Sequence, residues 1–193
     1  MPRVRRIIPS EGALHIIGRG NNKRLLFKKE RDYNHFKKLL QEYKLRYNCL
    51  IYHYCFMRNH VHLIAGVNEN SFLSKMMHGL ELKYAQYYKK RYAHIGHFWQ
   101  DRFKSFLIKD DIYLLACGLY IEANPVRASL TRHPTDYRWS SYNFYAFGYE
   151  DKIIDIDPYY LTLSEKPDER QNIYRGLMEE RLLEYKRLQL IEQ

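Results

Sequence analysis

The chain has 193 residues, a length that suits one compact domain with an appendage. Its three cysteines form no CxxC pair, which argues against a disulfide framework or a cysteine zinc site and favours the reducing cytoplasm. The chain has 32 lysines and arginines and 22 acidic residues, which gives a formal net charge of +10. This positive charge favours nucleic acid as a partner over an anionic membrane surface. No segment approaches the roughly 18 uninterrupted apolar residues of a membrane span, so we expect a soluble protein without a membrane partner.

The first half of the chain alternates strand-like and helix-like segments. Hydrophobic periodicity and turn residues predict, in chain order, a strand at 13–17, a turn at 18–22, a helix at 32–46 and strands at 50–57 and 60–67. Asp32 is the expected N-cap of the helix, since a side-chain oxygen there can accept from an unpaired amide. Only Arg58 and Asn59 separate the last two strands, so we expect an antiparallel pair joined by a tight turn.

The second half of the chain is richer in helix. Periodicity predicts a helix at 71–91 and a strand or irregular hairpin at 97–108. The next helix is capped by Asp110 or Asp111 and stopped by Pro125. A mixed segment at 140–149 and a charged helix at about 170–190 follow. This order of elements predicts an α+β fold, in which helices pack on an antiparallel sheet. We place a domain at residues 1–150 and a mainly helical C-terminal extension at 151–193.

Two histidines, His60 and His62, stand in an otherwise apolar predicted strand. Side chains of a strand alternate between its faces, so both imidazoles project from one face, about 7 Å apart at their Cα atoms. Two imidazoles placed in this way can converge on one metal ion if a third ligand is present. The alternative is a pair of hydrogen-bonded or solvent-facing histidines on a polar sheet face, and the motif alone leaves both open.

The helix before Pro125 carries two stripes of residues. Helical spacing gives a core stripe, which is Ile112, Leu115, Ala116, Leu119 and Ala123, and a second stripe, which is Tyr113, Cys117, Tyr120 and Asn124. Tyr120 and Asn124 are neighbours on the helix surface, so an amide oxygen can reach a metal held by the strand, with the phenol beside it. Packing at the edge of the core for Tyr120 and a C-terminal cap for Asn124 are the alternatives.

Six motifs, in order, resemble those of a known family. They are RGNN at 19–22, MRNHVHLI at 57–64, LKYAQYYKKRY at 82–92, GHFWQDRFKS at 96–105, YIEANPVRASL at 120–130 and DYRWSSY at 136–142. Over about Gly12 to Tyr145 the chain looks like the REP-associated tyrosine transposases, which belong to the wider group of His-hydrophobic-His, single-tyrosine transposases. One departure is Leu14, since the family usually has tyrosine before His15. This change leaves the catalytic set intact, and strand packing and a DNA contact are the two features that it could alter.

The resemblance implies a fold, a reaction and roles for individual residues. The fold is ferredoxin-like, and the reaction is cleavage of single-stranded DNA beside a hairpin, with strand transfer through a 5′-phosphotyrosine. Tyr120 is implied to be the nucleophile, and His60, His62 and Asn124 the metal ligands. Two imidazoles and an amide oxygen in an open site suit Mg²⁺ or Mn²⁺. The implied partner is single-stranded DNA with a hairpin, and both a monomer and a homodimer stay open.

Basic side chains in and around these motifs are the candidates for phosphate contacts. They are Arg19, Lys83, Lys89, Lys90, Arg91, Arg102, Lys104 and Arg127. Trp99 and Phe103 are expected to pack in the core or in a hairpin. Two other functions stay open, a hairpin-specific DNA-binding module with a regulatory role and a metal-dependent hydrolase of RNA or DNA. In each case we expect the protein to act in the cytoplasm, on the nucleoid when it is bound to DNA.

Overall fold

The computed structural model describes residues 9–191, which contain four strands and a series of helices joined by loops. The strands are β1 (Gly12–Arg19), β2 (Leu50–Met57), β3 (His60–Val67) and β4 (Lys104–Ile108). The α-helices are α1 (Glu30–Arg46), α2 (Leu73–Tyr92), α3 (Asp111–Glu122), α4 (Asn124–Arg127), α5 (Tyr142–Phe147), α6 (Pro158–Leu161) and α7 (Pro167–Ile191). None of these described helices combines the length and the apolar character that crossing a membrane requires.

The strands form one sheet in the order β2, β3, β1, β4, and all neighbours are antiparallel. The chain passes from β1 to β2 through α1 and from β3 to β4 through α2. This is the ferredoxin-like arrangement, and it confirms the predicted fold class. The hairpin strands β2 and β3 begin and end where the sequence predicts, with Arg58 and Asn59 between them.

Helices α1 and α2 cover one face of the sheet. Leu14 of β1 and Val61 and Leu63 of β3 project toward these helices and are at most 1% exposed. Fully burying an aliphatic side chain of this size stabilises the fold by about 1.5–3 kcal/mol. The two helices approach closely at Gly79, where a Cβ atom would lie 2.1 Å from Cε1 of Tyr43. A larger residue at position 79 would therefore push α1 and α2 apart.

Helix α3 covers the other face of the sheet, and α5, α6 and α7 pack on α3 from outside. Leu114 and Ile121 of α3 lie in one buried cluster with Cys55 of β2 and Ile64 of β3. A second buried cluster joins α3 to the three later helices and is rich in tyrosine. Helix α3 thus lies between two layers and has two buried sides.

The predicted core stripe of α3 is wrong in part for this reason. Leu115, Leu119 and Ala123 are buried, but they pack against α5, α6 and α7 rather than against the sheet. Ile112 is 68% exposed and Ala116 is exposed as well, so neither belongs to the core. A single apolar stripe cannot describe a helix that is covered on two sides.

Two predictions at element ends were also wrong. The predicted turn at 18–22 begins only at Gly20, because β1 continues and Gly18 is the register partner of Val61. Asp32 is not the N-cap of α1 but lies in its first turn, where its Oδ2 accepts hydrogen bonds of 2.9 Å from the amides of Lys28 and Lys29. The carboxylate satisfies amides that precede the helix rather than amides within it.

The segment from 97 to 108 is strand only in its last five residues. The loop before β4 is held by packing, since Phe103 is 4% exposed and Trp99 Nε1 donates to the carbonyl of Glu81 at 2.8 Å. Both aromatic residues therefore pack as predicted. Helix α3 ends before Pro125, and this proline lies in the first turn of the short helix α4, where its missing amide costs no helical hydrogen bond.

A buried polar network joins the sheet to α3 and to the residues after 150. His53 of β2 lies between Glu122, with Nδ1 2.9 Å from Oε1, and Asp157, with Nε2 3.0 Å from Oδ2. Burial by itself lowers the pKa of His53, but the hydrogen bonds to Asp157 and Glu122 outweigh it and raise the pKa to about 9. Tyr174 of α7 donates to Oε2 of Glu122 at 2.6 Å. The predicted boundary near residue 150 stays a prediction, although polar contacts cross it.

Candidate active site

The two histidines of β3 lie together on the sheet face that α3 covers. Their register partners in β2 are Met57 for His60 and Cys55 for His62, both of which belong to the cluster beneath α3. The ring centroids of His60 and His62 are 4.9 Å apart, and the rings are nearly perpendicular at 81°. His60 is half-buried, and His62 is 5% exposed. The strand geometry therefore brings the two imidazoles side by side, as the HxH spacing predicts.

Each of these imidazoles has a partner for its Nδ1 atom. Nδ1 of His60 lies 2.7 Å from Oδ1 of Asn59, and Nδ1 of His62 lies 2.9 Å from Nε2 of His15. An amide oxygen only accepts, so Nδ1 of His60 carries the hydrogen and its lone pair is on Nε2. In both histidines, Nε2 is the nitrogen left to face a ligand.

Burial keeps both imidazoles neutral. Desolvation, with a smaller effect of the nearby Arg19 charge, lowers the pKa of His60 to about 4. Desolvation lowers the pKa of His62 well below its usual value, and the positive charges of Arg19 and Arg127 act in the same direction. Since the neutral form of histidine is the metal ligand, both imidazoles are in the protonation state that metal binding at pH 7 requires.

Tyr120 and Asn124 come from the end of α3 and the start of α4. Tyr120 is half-buried and packs on the cluster beneath α3, on the sheet face that carries the histidines. Arg127 links the two residues, with its guanidinium 4.7 Å from the centroid of the Tyr120 ring and its Nη1 3.4 Å from Oδ1 of Asn124. The positive charge of Arg127 also contributes to the lowered pKa of His62. Arg127 therefore lies within electrostatic reach of the tyrosine, the amide and one of the histidines.

Helix α7 contributes a further side of this site. The guanidinium of Arg181 lies 5.7 Å from the centroid of the Tyr120 ring, and the hydroxyl of Tyr185 donates to the carbonyl of Arg127 at 3.3 Å. Together with Glu184 they line a cavity of about 120 Å³ beside Tyr120. Sequence reasoning missed Arg181 and Tyr185, because nothing in a charged helix indicates which of its residues faces a tyrosine on a distant helix.

The residue types of the predicted ligands suit a divalent cation in an open site. His60 and His62 offer two imidazole nitrogens, and Asn124 offers an amide oxygen, a mixed set that suits Mg²⁺ or Mn²⁺ better than structural zinc. The Oδ1 atom of Asn124 accepts from Nη1 of Arg127 at 3.4 Å, and its Nδ2 atom is buried without a hydrogen-bond partner among the described residues. In residues 9–191, no group of three His, Cys, Asp or Glu side chains has metal-binding geometry, and a closed site of those residue types is absent there.

A family comparison identifies the class of protein. The model of the family described as IS200-like transposases matches residues 10–124, which is more than half of the chain. The chain belongs to this family. The match contains His60, His62, Tyr120 and Asn124, whereas Arg127 and the residues of α7 lie beyond it.

Solved structures extend the comparison. A REP-associated tyrosine transposase, solved with a REP hairpin bound, has a TM-score of 0.65 and 18% sequence identity, over 81% of this chain and 93% of that one. At this identity the likeness concerns the fold. A candidate transposase from Deinococcus radiodurans R1 has a TM-score of 0.43 and 14% identity, over 63% of this chain and 96% of its own. A search of curated proteins finds no match.

Four of the basic residues predicted to contact DNA lie near the site of this transposase. Arg19, the register partner of His60, shares a cleft of about 420 Å³ with Arg102 and Lys104, and Arg127 lies against Tyr120. Phe106 also lines this cleft and is 53% exposed.

The other four predicted DNA contacts lie elsewhere. They are Lys83, Lys89, Lys90 and Arg91, all exposed on α2. Because α2 and α3 cover opposite faces of the sheet, the structure does not bring these four together with the histidines. The basic residues form two separate surfaces, which the sequence did not indicate.

Proposed function

We propose that this transposase cleaves single-stranded DNA beside a hairpin and rejoins strands through a 5′-phosphotyrosine at Tyr120. In this proposal His60, His62 and Asn124 hold Mg²⁺ or Mn²⁺, and the protein acts on DNA in the cytoplasm. The observation that carries the proposal is the pairing of His60 and His62, each with Nδ1 engaged and Nε2 available, on the sheet face on which Tyr120 packs.

The chemistry follows from the residues of the site. A bound divalent cation supplies Lewis-acid polarisation and orientation of the scissile phosphate. Tyr120 loses its phenolic proton and its oxygen bonds to phosphorus, while the bond from phosphorus to the 3′ oxygen breaks and that oxygen leaves as a 3′-hydroxyl. Arg127 and Arg181 lie within 6 Å of the Tyr120 ring and offer positive charge to the phosphate. A later 3′-hydroxyl attacks the phosphotyrosine and rejoins the strand without ATP.

The cleft beside the histidines suits the DNA strand that flanks the scissile phosphate. Arg19, Arg102 and Lys104 supply positive charge for phosphates, and Phe106 offers an exposed ring on which an unpaired base can stack. The basic surface of α2 is separate and suits the hairpin stem, since its lysines carry charge but no base readout. A bound REP hairpin in the structurally similar transposase supports a hairpin as the substrate class.

A covalent adduct tests the proposal. Wild-type protein incubated with a hairpin-bearing single strand and Mn²⁺ should form a protein–DNA adduct that survives denaturant, and Tyr120→Phe should form none. The matched control is Tyr113→Phe on the same helix, which is 60% exposed and should form the adduct like wild type. Removing one hydroxyl leaves the ring packing in place, so DNA affinity should change little.

Three results would each point elsewhere. An adduct with Tyr120→Phe but not with Tyr113→Phe would move the nucleophile to position 113. Tight hairpin binding by wild type without any adduct or cleavage would favour a regulatory DNA-binding protein. Cleavage without an adduct, retained in Tyr120→Phe, would favour a metal-dependent hydrolase.

A further inference from the structure

His15 is a polar side chain at the site to which the proposed chemistry gives no role. It lies on β1, beside β3 in the sheet, and its Nε2 is 2.9 Å from Nδ1 of His62. The two rings are nearly parallel, with centroids 5.1 Å apart and an angle of 25° between their planes, which allows a hydrogen bond from ring edge to ring edge. On its other side His15 has the ring of Phe106, with centroids 6.2 Å apart. His15 is thus held between the candidate metal ligand and the wall of the cleft.

The position of His15 argues against its being a third metal ligand. Its Nε2 contacts Nδ1 of His62, which is the nitrogen on the opposite side of that ring from the available Nε2. Three histidines around one cation would form a cluster of metal-binding geometry, and no such cluster exists in the part of the chain that the structure describes. The contact between His15 and His62 is therefore a hydrogen bond behind the ligand.

Coordination of a cation by Nε2 of His62 would decide which of the two rings donates the hydrogen bond between His15 and His62. A neutral imidazole has one N–H hydrogen, so coordination at Nε2 requires that the hydrogen of His62 be on Nδ1. That hydrogen then points at Nε2 of His15, which must accept it. Asn59 Oδ1 accepts from Nδ1 of His60 in the same way. The two candidate ligands thus have matching arrangements, with an acceptor behind each ring.

We propose that His15 is a positioning residue for the metal site: its Nε2 accepts the Nδ1 hydrogen of His62, which fixes that ring and its tautomer with Nε2 directed at the cation. This inference rests on the proposed function, because it assumes that His62 is a ligand. Partners of this kind behind metal-binding histidines typically change metal affinity by about 10–100-fold when they are mutated. His15 itself touches neither the cation nor the DNA phosphate in this role.

Substitutions at position 15 separate the acceptor from the packing. His15→Phe keeps a ring of similar size beside Phe106 but has no acceptor, whereas His15→Gln keeps an amide oxygen near the position of Nε2. Mn²⁺ affinity, measured by calorimetry on DNA-free protein, should fall about 10–100-fold in His15→Phe and recover to within a few-fold of wild type in His15→Gln. The matched control is His78→Phe, an exposed histidine on α2 that should bind Mn²⁺ like wild type.

The tautomer itself provides a readout that does not require the metal. In ¹⁵N-labelled, metal-free protein at pH 7, long-range ¹H–¹⁵N spectra should show His62 with its hydrogen on Nδ1. In His15→Phe the hydrogen should move to Nε2, the form that predominates for histidine in water, while His60 keeps its hydrogen on Nδ1 because Asn59 is unchanged. A merely structural role for His15 would leave this tautomer unaltered.

The outcomes distinguish the two proposals. If His62→Ala abolishes Mn²⁺ binding but His15→Phe leaves both the affinity and the tautomer unchanged in a folded protein, the role of His15 is wrong and the metal site stands. If His62→Ala binds Mn²⁺ as tightly as wild type, the metal site itself is wrong. An equal loss of affinity in His15→Phe and His15→Gln, with a wild-type tautomer in both, would reduce His15 to a packing residue.

Discussion

His60 and His62 differ from ordinary surface histidines in their burial and in their fixed neighbours. A histidine in water is partly protonated near pH 6.5 and has to lose that proton before it binds a metal. Here burial lowers the pKa of both side chains, so that they are neutral at pH 7. Burial lowers the pKa of the neighbouring His15 to about 4 as well. Three neutral imidazoles in one patch are therefore a property of the folded site rather than of the residue type.

Single substitutions of these histidines should separate catalysis from DNA binding. We expect His60→Ala and His62→Ala each to abolish cleavage of a labelled hairpin-bearing strand, because each removes a proposed ligand of the cation. The affinity for DNA, measured by gel shift, should change by less than about threefold, because the basic surface supplies most of the binding. His78→Ala is the matched control and should cleave normally. Full cleavage by either variant, or by wild type in excess chelator, would overturn the metal assignment.

At the scale of elements, the transposase divides the basic residues that are predicted to contact DNA between two separate surfaces. Helix α3 carries Tyr120 on one face of the sheet, and α2 carries exposed lysines on the other. A substitution of these lysines therefore removes positive charge from α2 without altering the contacts of Tyr120. The two helices should contribute separately to affinity and to the covalent step.

Neutralising part of α2 tests this separation. The double variant Lys89→Ala/Lys90→Ala should weaken DNA binding and lower the slope of log affinity against log salt, by about one for each phosphate that the protein no longer neutralises. At saturating DNA the rate of adduct formation by Tyr120 should stay near that of wild type. The control is Lys38→Ala/Arg46→Ala, two exposed residues of α1 that are not predicted to contact DNA. An equal loss of affinity in both double variants would show a general charge effect instead of a specific surface.

At the scale of the whole molecule, the network around His53 connects regions that are far apart in the chain. His53 and Glu122 are fully buried and so is Asp157, so removing one of these charges leaves another without a partner. Ser141 and Tyr174 donate to Glu122 as well. Through Glu122 this network connects α7 to the C-terminal end of α3, and Glu122 is two residues from Tyr120.

The pH dependence of stability should report this network. Since the pKa of His53 is about 9 in the folded protein and near 6.5 in the unfolded chain, its contribution is complete below pH 6.5 and is lost as the pH rises to about 9. We expect the free energy of unfolding in urea to fall by a few kcal/mol across this window, at about 1.4 kcal/mol for each pKa unit.

The control for this measurement is Asp157→Asn, which keeps the shape of the side chain but removes one charge beside His53. Its unfolding free energy should fall less steeply between pH 6.5 and 9. His60 and His62 act in the other direction, because their lowered pKa values reduce stability only as the pH drops below 6.5. Identical slopes in wild type and Asp157→Asn would show that His53 does not titrate in this window.

The sequence by itself determined the features that depend on local periodicity and spacing. The bounds of β2 and β3 follow from two β-rich runs with only Arg58 and Asn59 between them, and the HxH spacing places His60 and His62 on one face. The α+β order of elements follows from the same kind of pattern. Each depends on residues a few positions apart, whose geometry the backbone of a strand or helix dictates.

The tertiary structure alone decided which element covers which face. Helix α3 has two buried sides because it lies between the sheet and α5–α7, so a single stripe misplaced Ile112. His15 meets His62, and Arg181 meets Tyr120, only because the sheet order and the path of α7 bring distant segments into contact. A local pattern records that a face is apolar or charged, but the identity of its neighbour depends on the packing of the whole chain.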